Sequence, residues 1–343
     1  MAASSLPTLV FRRFSDPAVE AAWRSMETPD MSPFLHYDYL RYVAESPFSA
    51  RPYIPRVACL EDSGEIVMLV PLMKSMGLKS SYWKMLGDIQ GCDRTDALWK
   101  PSLSFAEREK LCAIFYASLG KKLKMHRIQS HSPLLTQLPE SRITRTNVEP
   151  YVTVPVPGDA ETLFKGLHHT IRQNIRTAYN RMNRNGIEVR LEVFDPDNPM
   201  TDEVWKKIMD LYFDRLFSKY KKNKVSNPIA KARQRHFYYK VKHDTLSLRQ
   251  LPDSFHAVLW HGERIIAFMN GLKTHDGATV SVPRLAIDSE YSFYSPGYVL
   301  INEVIKYIAA HPVLNELDLS RGDEKYKLDF GGKLYYTYDY DLR

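Results

Sequence analysis

Residues 291–298 of the 343-residue chain read Tyr-Ser-Phe-Tyr-Ser-Pro-Gly-Tyr, which predicts a turn followed by the start of a helix. Ser295 takes the N-cap position and Pro296 the first helical turn, where a proline loses no hydrogen bond. Gly297 has no side chain, so a ligand can approach the backbone closely. Because the free amides and the dipole of a helix start favour anions, this stretch predicts a pyrophosphate site, with an ordinary helix start as the alternative.

A charge-rich stretch follows that helix. Residues 316–332 read Glu-Leu-Asp-Leu-Ser-Arg-Gly-Asp-Glu-Lys-Tyr-Lys-Leu-Asp-Phe-Gly-Gly. Asp318 alternates with Leu317 and Leu319, so we expect its side chain on the opposite face of a strand. The loop after the strand is crowded with charged residues: Arg321, Asp323, Glu324, Lys325 and Lys327. Such a cluster can position a substrate or move a proton, and a salt-bridged structural loop is the alternative.

A predicted amphipathic helix at residues 160–185 is the third candidate. Its apolar stripe consists of Phe164, Leu167, Ile171, Ile175, Ala178 and Met182. A second stripe at helical spacing consists of Lys165, His169, Arg172 and Arg176. Four cationic positions on one face can hold a phosphate or a carboxylate, and a solvated helix face is the alternative. Asn185-Gly186 is the expected end of the helix.

Hydrophobic periodicity and turn residues predict the elements around these candidates. In the second half of the chain we expect strands at Ser254–Trp260, Arg264–Leu272, Ala278–Ala286, Glu316–Ser320 and Lys333–Tyr340, and helices at Asp202–Tyr220, Ile229–Lys242 and Pro296–His311. In the first half, Asp62-Ser63-Gly64 predicts a hairpin between Ile54–Leu60 and Glu65–Lys74. A helix at Phe105–Leu123 is expected to begin with a capping box formed by Ser104 and Glu107.

The length of the chain predicts two domains. A polar, proline-containing segment at residues 132–150 precedes a predicted strand at Tyr151–Val156. We therefore expect a first domain at residues 1–147 and a second at 148–343.

Composition excludes several classes of protein. The three cysteines, Cys59, Cys92 and Cys112, are scattered, which argues against a disulfide framework and a zinc site and favours a reducing compartment. The histidines show no metal-binding spacing, so we expect no metal. We also expect no signal peptide and no membrane span, and hence a cytoplasmic protein. The net charge of +7 favours anionic partners, or serves solubility alone.

Taken together, two segments resemble a known family. Tyr294-Ser-Pro-Gly-Tyr-Val-Leu300, followed by Asp318-x-x-x-Gly322-Asp323-x-x-Tyr326-Lys327, looks like the C-terminal signature of GNAT acetyltransferases associated with cellulose and exopolysaccharide biosynthesis. The resemblance covers about residues 150–335. It implies an α+β chain with two GNAT-like domains, each a mixed, mostly antiparallel sheet flanked by helices. It also implies kinship with the tandem, Fem-type aminoacyl transferases of cell-wall synthesis, and a degenerate first domain.

The resemblance implies roles for particular residues. Acetyl-CoA or another acyl-CoA would be the donor, bound by Tyr294, Ser295, Pro296, Gly297, Tyr298 and Val299. Asp318 or Asp323 would act as base or orient the amine, and Tyr326 would act as acid. Substrate would be held by His169, Arg172, Arg176, Arg321 and Lys327, although Arg321 and Lys327 can instead fix the loop.

Three functions follow from these observations. The first is acyl transfer to an amine of a sugar, a sugar nucleotide or a small molecule, in polysaccharide biosynthesis. The second is aminoacyl transfer from a charged tRNA, which the net charge and the basic run Lys219–Lys224 permit. We expect no other nucleic-acid partner. The third is a non-catalytic GNAT-like module that binds an anionic partner. The sequence leaves the acceptor, the acyl length and the oligomeric state open.

Overall fold

The chain forms two compact units, and its computed structural model describes residues 6–45, 53–75, 82–87, 92–120, 122–222 and 248–343. Met1–Pro150 and Tyr336–Arg343 make up the first unit, and Tyr151–Tyr335 makes up the second unit. The sequence placed residues 336–343 in the second domain, but they group with the first unit. The helix predicted at Ile229–Lys242 lies outside the described residues, and the basic run Lys219–Lys224 extends beyond them.

The first unit contains a mixed sheet with helices packed on it. Its strands are β1 (Thr8–Arg12), β2 (Tyr53–Asp62), β3 (Glu65–Ser75), β4 (Trp83–Met85), β5 (Leu98–Trp99) and β6 (Leu123–Gln129). Its helices are α1 (Pro17–Met26), α2 (Tyr37–Glu45), α3 (Phe105–Leu119) and α4 (Pro133–Thr136), with 3-10 turns at Pro33–Leu35 and Glu140–Arg142. Strand β7 (Ile143–Pro155) begins in this unit and is longer than predicted.

The strand order in the first unit is β1-β2-β3-β4-β6, and residues 337–342 of the last strand, β13 (Lys333–Leu342), pair with β6. β5 pairs with β3. All these neighbours are antiparallel except β4 and β6, which are parallel. The predicted hairpin between β2 and β3 is confirmed, and Ser63 and Gly64 adopt positive φ at its turn.

Helix α3 confirms its predicted start and corrects its predicted end. The Ser104 side chain accepts a hydrogen bond from the Glu107 amide, and the Glu107 carboxylate accepts one from the Ser104 amide. The helix ends at Leu119 rather than Leu123, because Gly120 takes a left-handed conformation at the C-cap. Leu123 instead begins β6, where it is buried.

The second unit likewise consists of a mixed set of sheet strands and helices. After β7 come α5 (Ala160–Gly166), α6 (His169–Arg184), β8 (Arg190–Phe194), α7 (Asp202–Lys222), β9 (Ser254–His261), β10 (Arg264–Lys273) and β11 (Thr279–Ile287). A 3-10 turn (Ser289–Tyr294), α8 (Pro296–Ala310), β12 (Glu316–Arg321) and α9 (Lys325–Asp329) complete it, and β13 begins there. The strand order is β7-β12-β11-β10-β9-β8.

Two hydrophobic cores cover the two faces of the sheet within the second unit. Helices α6 and α8 bury one face, where Ile171, Ile175 and Val304 are among the fully enclosed side chains. Helix α7 covers the other face through residues such as Trp205 and Met209. Among the described helices, none combines the length and the apolar character that crossing a membrane requires.

The single helix predicted at residues 160–185 is wrong, because two helices occupy that range. Leu167 and His168 adopt ψ angles of 150° and 142°, which end α5 and start α6. The His168 ring caps α6 by accepting a hydrogen bond from the Thr170 amide at 3.4 Å. Lys165 therefore lies on α5, paired with Glu161, and does not share a helix face with the three cationic residues of α6. The predicted end at Asn185-Gly186 is confirmed, with Asn185 at the C-cap.

Candidate functional site

A cavity of about 380 Å³ lies at the N-terminal end of α8. We call it the donor cavity. Its lining residues come from four parts of the second unit: Arg215, Leu285, Ile287, Ser292, Ser295, Gly297, Tyr298, Ile301 and Tyr326. Strand β11 forms one wall, and Tyr326 of α9, just after β12, contributes to another. The walls are mainly apolar, whereas the serines, Gly297 and Arg215 supply polar groups, so the cavity suits a ligand with an apolar part and an anionic part.

The start of α8 is left open by its backbone conformation. Ser295 has φ 53° and ψ 51°, and its side chain makes no capping hydrogen bond. The serine cap expected from the sequence is therefore absent, because such a cap needs an extended backbone at the N-cap. Pro296 occupies the first turn as predicted, and no acidic residue lies in that turn. Pro296 has no amide hydrogen and the Tyr298 amide donates to the Ser295 carbonyl at 3.1 Å, so the Gly297 amide and the positive end of the helix dipole remain available to an anion.

The predicted donor-binding residues are divided between the cavity and its surroundings. Ser295, Gly297 and Tyr298 line the donor cavity. Val299 instead lies in the hydrophobic core with no exposed surface, because the helix turns its side chain toward the sheet. Pro296 is buried as well.

Two further features refine this part of the site. Tyr294 packs against Phe293, their ring centroids 5.2 Å apart, and is not among the lining residues. A Cβ added at Gly297 would lie 3.5 Å from the nearest atom of Ile287, which is ordinary van der Waals contact. A side chain at position 297 can therefore be accommodated by the protein and would compete with a ligand.

Strands β11 and β12 diverge beside the donor cavity. They pair in parallel only at Thr279–Glu316, Val280–Leu317 and Ser281–Asp318. Beyond Ser281, β11 continues to Ile287 along β10, and the register shift there places Val282 and Pro283 opposite Gly271 as a bulge. The backbone at Gly271 passes so close to the Ser281 carbonyl that any side chain would collide with it. Bulges of this kind are frequent next to active sites.

Asp318 lies where the two strands part and is almost fully buried, with 2% of its surface exposed. Its carboxylate accepts hydrogen bonds from the Tyr335 hydroxyl at 2.8 Å, the Ser320 amide at 2.8 Å and the Ser281 hydroxyl at 3.4 Å. Ser320 has a φ of 58°, so the backbone bends there. As predicted, Asp318 points away from the face occupied by Leu317. Its contacts hold the β11, β12 and β13 segments together around the divergence.

Tyr326 combines access to the donor cavity with a perturbed phenol. Burial, and to a smaller extent the nearby Glu324 carboxylate, raises the pKa of Tyr326 to about 12. The phenol is therefore protonated at neutral pH and can donate a proton or a hydrogen bond into the cavity. Asp323 and Arg321, by contrast, are exposed on the loop between β12 and α9.

Lys327 organises that same loop from within. Its side chain is 4% exposed, and its ammonium group donates to the carbonyl oxygens of Arg321 at 2.6 Å and Gly322 at 3.2 Å. It also pairs with Glu324 at 3.0 Å. Of the two roles that the sequence left open for Lys327, these contacts favour fixing the loop.

The three cationic residues predicted on α6 do not join the donor cavity. His169, Arg172 and Arg176 are absent from its lining. The His169 ring packs 4.2 Å from the ring of His168, between centroids. Arg176 instead lies over the Phe164 ring, with 5.7 Å between its guanidinium carbon and the ring centre, and it lines a separate cavity.

Sequence reasoning missed several residues of the donor cavity, above all Arg215 of α7. Arg215 lies about 80 positions before Gly297, and no motif marks it. Leu285 was detectable in principle, because it lies on the strand predicted at Ala278–Ala286, whereas Ile287 lies just beyond the predicted end of that strand. Ser292 had no distinguishing signal.

A row of buried polar side chains crosses the face of the sheet covered by α7. His256, Asn270 and Arg284 are directly opposite one another on β9, β10 and β11. His256 is 1% exposed, and burial, together with a smaller contribution from the charges of Arg284 and Arg249, lowers its pKa to about 4, although the neighbouring Asn270 side chain opposes the shift. His256 is therefore neutral in the folded unit at physiological pH.

These features define the class of fold. A mostly antiparallel sheet opens at one short parallel pair, and a helix after the bulged strand starts at a cavity beside that opening. The second unit thus has the GNAT fold, and residues 169–328 match the sequence model of a family described as "Acetyltransferase (GNAT) domain". The predicted α+β class and the predicted tandem of GNAT-like domains are confirmed.

Solved structures with the same fold extend over the whole chain. A conserved protein of unknown function from Bacteroides thetaiotaomicron is 14% identical, with 98% of this chain and 100% of that chain covered and a TM-score of 0.57. FemX is 10% identical, with 89% and 94% covered and a TM-score of 0.54. A tandem GNAT protein from the clavulanic acid biosynthesis pathway is 12% identical, with 98% of each chain covered and a TM-score of 0.51. A search of curated protein sequences found no match.

Proposed function

We propose that this protein is an acyl-CoA-dependent N-acyltransferase whose donor binds in the donor cavity of the second unit. The observation that carries the proposal is the open start of α8, which meets an apolar cavity beside diverging strands. An acyl-CoA offers the matching chemistry, because it joins a charged diphosphate to an apolar thioester arm. The GNAT domain at residues 169–328 supports this reading.

In this proposal, different residues of the cavity bind different parts of the donor. The Gly297 amide and the positive end of the α8 dipole receive the diphosphate, and Arg215 adds positive charge from α7. Tyr298 and Ile301 contact the apolar arm of the donor. Backbone amides on the part of β11 that lacks a β12 partner stabilise the oxyanion that forms from the thioester carbonyl.

The transfer itself needs a base and an acid. The acceptor amine attacks the thioester carbonyl and loses a proton, and we assign that proton to the exposed carboxylate of Asp323. The carbon–sulfur bond then breaks, and the Tyr326 phenol donates its proton to the departing thiolate. Asp318 serves as a positioning residue, because its carboxylate is already occupied by three hydrogen bonds.

The acceptor is proposed on the sequence motif alone. An amine of a sugar, a sugar nucleotide or a small molecule fits the resemblance to acetyltransferases of polysaccharide biosynthesis, and the reaction would take place in the cytoplasm. Arg321 is the predicted substrate-binding residue that follows β12 on the exposed loop, so we propose that it contacts the acceptor.

Aminoacyl transfer from charged tRNA is the second candidate. The net charge of +7 suits a polyanionic partner, and the fold is shared with FemX. The same open helix start would then bind a phosphate of the tRNA. A non-catalytic role would require that the cavity bind no thioester at all.

Thermal unfolding with acetyl-CoA, longer acyl-CoAs and free CoA tests the proposal. A ligand at ~100 times its dissociation constant stabilises a fold by roughly 2.7 kcal/mol, which gives a readable shift. Gly297→Glu places a carboxylate at the second position of α8 and should abolish the shift. Ala106→Glu is the matched control, because Ala106 is exposed and holds the second position of α3 in the first unit.

Each outcome has a distinct meaning. A shift in the parent and in Ala106→Glu, lost in Gly297→Glu, supports the donor site. If no thioester shifts the unfolding temperature, the proposal of a CoA-dependent transferase is wrong. Salt-sensitive binding of charged tRNA would then favour aminoacyl transfer. Loss of the shift in both variants would mean that added negative charge, rather than position 297, weakens binding.

A further inference from the structure

A second cavity of about 440 Å³ lies between α5, α6 and α8, about one turn farther along α8 than the donor cavity. We call it the helix cavity. The two cavities share no lining residue: α8 contributes Gly297, Tyr298 and Ile301 to the donor cavity, but Asn302 and Ile305 to the helix cavity. The volume lies in the range of small-molecule sites.

The break between α5 and α6 explains why the helix cavity exists. Because the chain is extended at Leu167 and His168, α5 is a separate seven-residue helix without a fully buried residue. Leu163 and Phe164 line the helix cavity and are only partly buried, since they pack against the edge of the core rather than inside it. Ile175 on α6 provides another apolar wall. The result is a pocket whose floor and walls are mostly hydrocarbon.

The polar groups at its edge carry a particular charge pattern. Lys306 is paired with Glu303 at 2.7 Å, and the Tyr179 hydroxyl donates to the same carboxylate. Arg176 differs, because no carboxylate pairs with it among the residues that the structure describes. Its guanidinium lies over the Phe164 ring at the margin of the apolar lining.

We propose that the helix cavity binds a single-chain anionic amphiphile, a fatty carboxylate, with its chain on the apolar walls and its head on Arg176. The planar guanidinium can bind a carboxylate through two parallel hydrogen bonds, which no other group at the edge is placed to do. The apolar lining excludes a wholly polar ligand, since its polar groups would lose their hydrogen bonds to water. The proposal does not depend on acyl transfer in the donor cavity.

Methyl NMR of the isoleucine-labelled full chain tests this directly, with octanoate as probe and octan-1-ol as its uncharged counterpart. We expect saturable shifts of the Ile175 and Ile305 methyl signals, assigned by Ile→Val variants, and no shift at Ile287 or Ile301. Octanol should bind about tenfold more weakly than octanoate, because it cannot form charge-assisted hydrogen bonds with the guanidinium of Arg176.

Three variants distinguish binding in the helix cavity from nonspecific binding at the protein surface. Arg176→Gln should weaken octanoate about tenfold while leaving octanol unchanged. Leu163→Trp should fill the cavity and remove binding of both probes. Arg184→Gln, with the same charge change at an exposed position of the same helix, should bind octanoate as the parent does. Thermal unfolding confirms that each variant is folded.

Three results would overturn the proposal. They are the absence of saturable shifts at Ile175 and Ile305, equal affinity for octanol and octanoate, and equal weakening by Arg176→Gln and Arg184→Gln. Because Arg176→Gln alters an exposed side chain, it decides the question even if Leu163→Trp does not fold.

Discussion

The two units have the same strand plan but differ at the start of one helix. Each unit has four antiparallel strands (β1 to β4, and β8 to β11), then a helix (α3, and α8) that leads to a strand parallel to the fourth (β6, and β12). The parallel strand pairs on its other side with an antiparallel strand, β13 in the first unit and β7 in the second. The parallel pair is short in both, with two residue pairs in the first unit and three in the second.

The corresponding helices of the two units differ at their N-terminal ends. The start of α3 is capped by side chains, whereas the start of α8 is not capped and can accept an anion. In the first unit, Ser104 and Glu107 satisfy the amides of α3, and the Glu107 carboxylate already occupies the positive end of the helix. In the second unit, Ser295 makes no such bond, and no acidic residue lies in the first turn of α8. A cap that stabilises a helix thus removes the feature that a phosphate would need.

The largest expected effect tests whether chemistry belongs to the second unit alone. Tyr326→Phe should lower kcat by about a hundredfold or more, because general acid catalysis typically contributes 10²–10⁴-fold. Affinity for the donor should persist, since the ring that lines the cavity remains. Steady-state kinetics with an acceptor amine, together with the acyl-CoA unfolding shift, measure both quantities.

Tyr340→Phe in the first unit is the control for that experiment, because Tyr340 is also a half-buried tyrosine. It should leave kcat within about twofold. If the two variants lose activity equally, Tyr326 has no special role and the assignment of chemistry to the second unit is wrong.

The next effect concerns how the free energy of unfolding depends on pH. A buried histidine in the second unit and a buried aspartate in the first unit should change it in opposite directions. The unfolded chain protonates His256 below about pH 6.5, but the folded unit does so only below about 4, so the unfolded state binds more protons between these values. The free energy of unfolding therefore rises with pH across this window, by on the order of 3 kcal/mol. His256→Leu should flatten that rise in urea unfolding curves between pH 4.5 and 7.

Asp96 in the first unit should act in the other direction. Burial raises the pKa of Asp96 to about 7, above its ordinary 3.8, while Ser132 and the Ala97 amide hydrogen-bond its carboxyl. The folded state binds more protons between pH 4 and 7, so this residue lowers the free energy of unfolding as pH rises. Asp96→Asn should remove that decline. Identical pH slopes in the parent and both variants would refute this contrast.

The smallest effect sharpens the comparison of the two caps. Ser104→Ala should reduce the free energy of unfolding by about 1 kcal/mol, because a capping hydrogen bond is lost. Ser295→Gly should instead increase it by about 0.5–1 kcal/mol, because glycine adopts the left-handed conformation without strain. Chemical denaturation measures both. A loss of stability in Ser295→Gly would mean that the serine side chain does cap α8.

Local signals in the sequence were reliable, and signals that depend on packing were not. The hairpin turn at Ser63-Gly64, the capping box at Ser104 and the helix start at Pro296 involve residues within about four positions of one another, so the sequence could predict them. The break at Leu167–His168 was missed because the apolar spacing from Phe164 to Ile171 continues across it.

The conformation of Ser295 illustrates the same limit in the candidate site. The preceding 3-10 turn is anchored by Asp288, which accepts hydrogen bonds from the Glu290 amide at 3.0 Å and from Arg264 at 2.8 Å. Arg264 lies on a different strand, so this anchor depends on sheet pairing. A serine before proline predicts a cap when read alone, and only the folded sheet turns it into an open helix start.

The sequence by itself determined most of the local elements and the stretch that begins α8, because periodicity, turn residues and the Ser-Pro-Gly motif are local properties, and its resemblance to GNAT acetyltransferases implied the α+β class and the tandem arrangement. The tertiary structure decided which of those residues face the donor cavity. It brought Arg215 of α7 to Gly297, turned Val299 into the core and buried Asp318 among three hydrogen-bond donors. Those contacts join residues far apart in the chain, so they exist only once the sheet and its helices have packed.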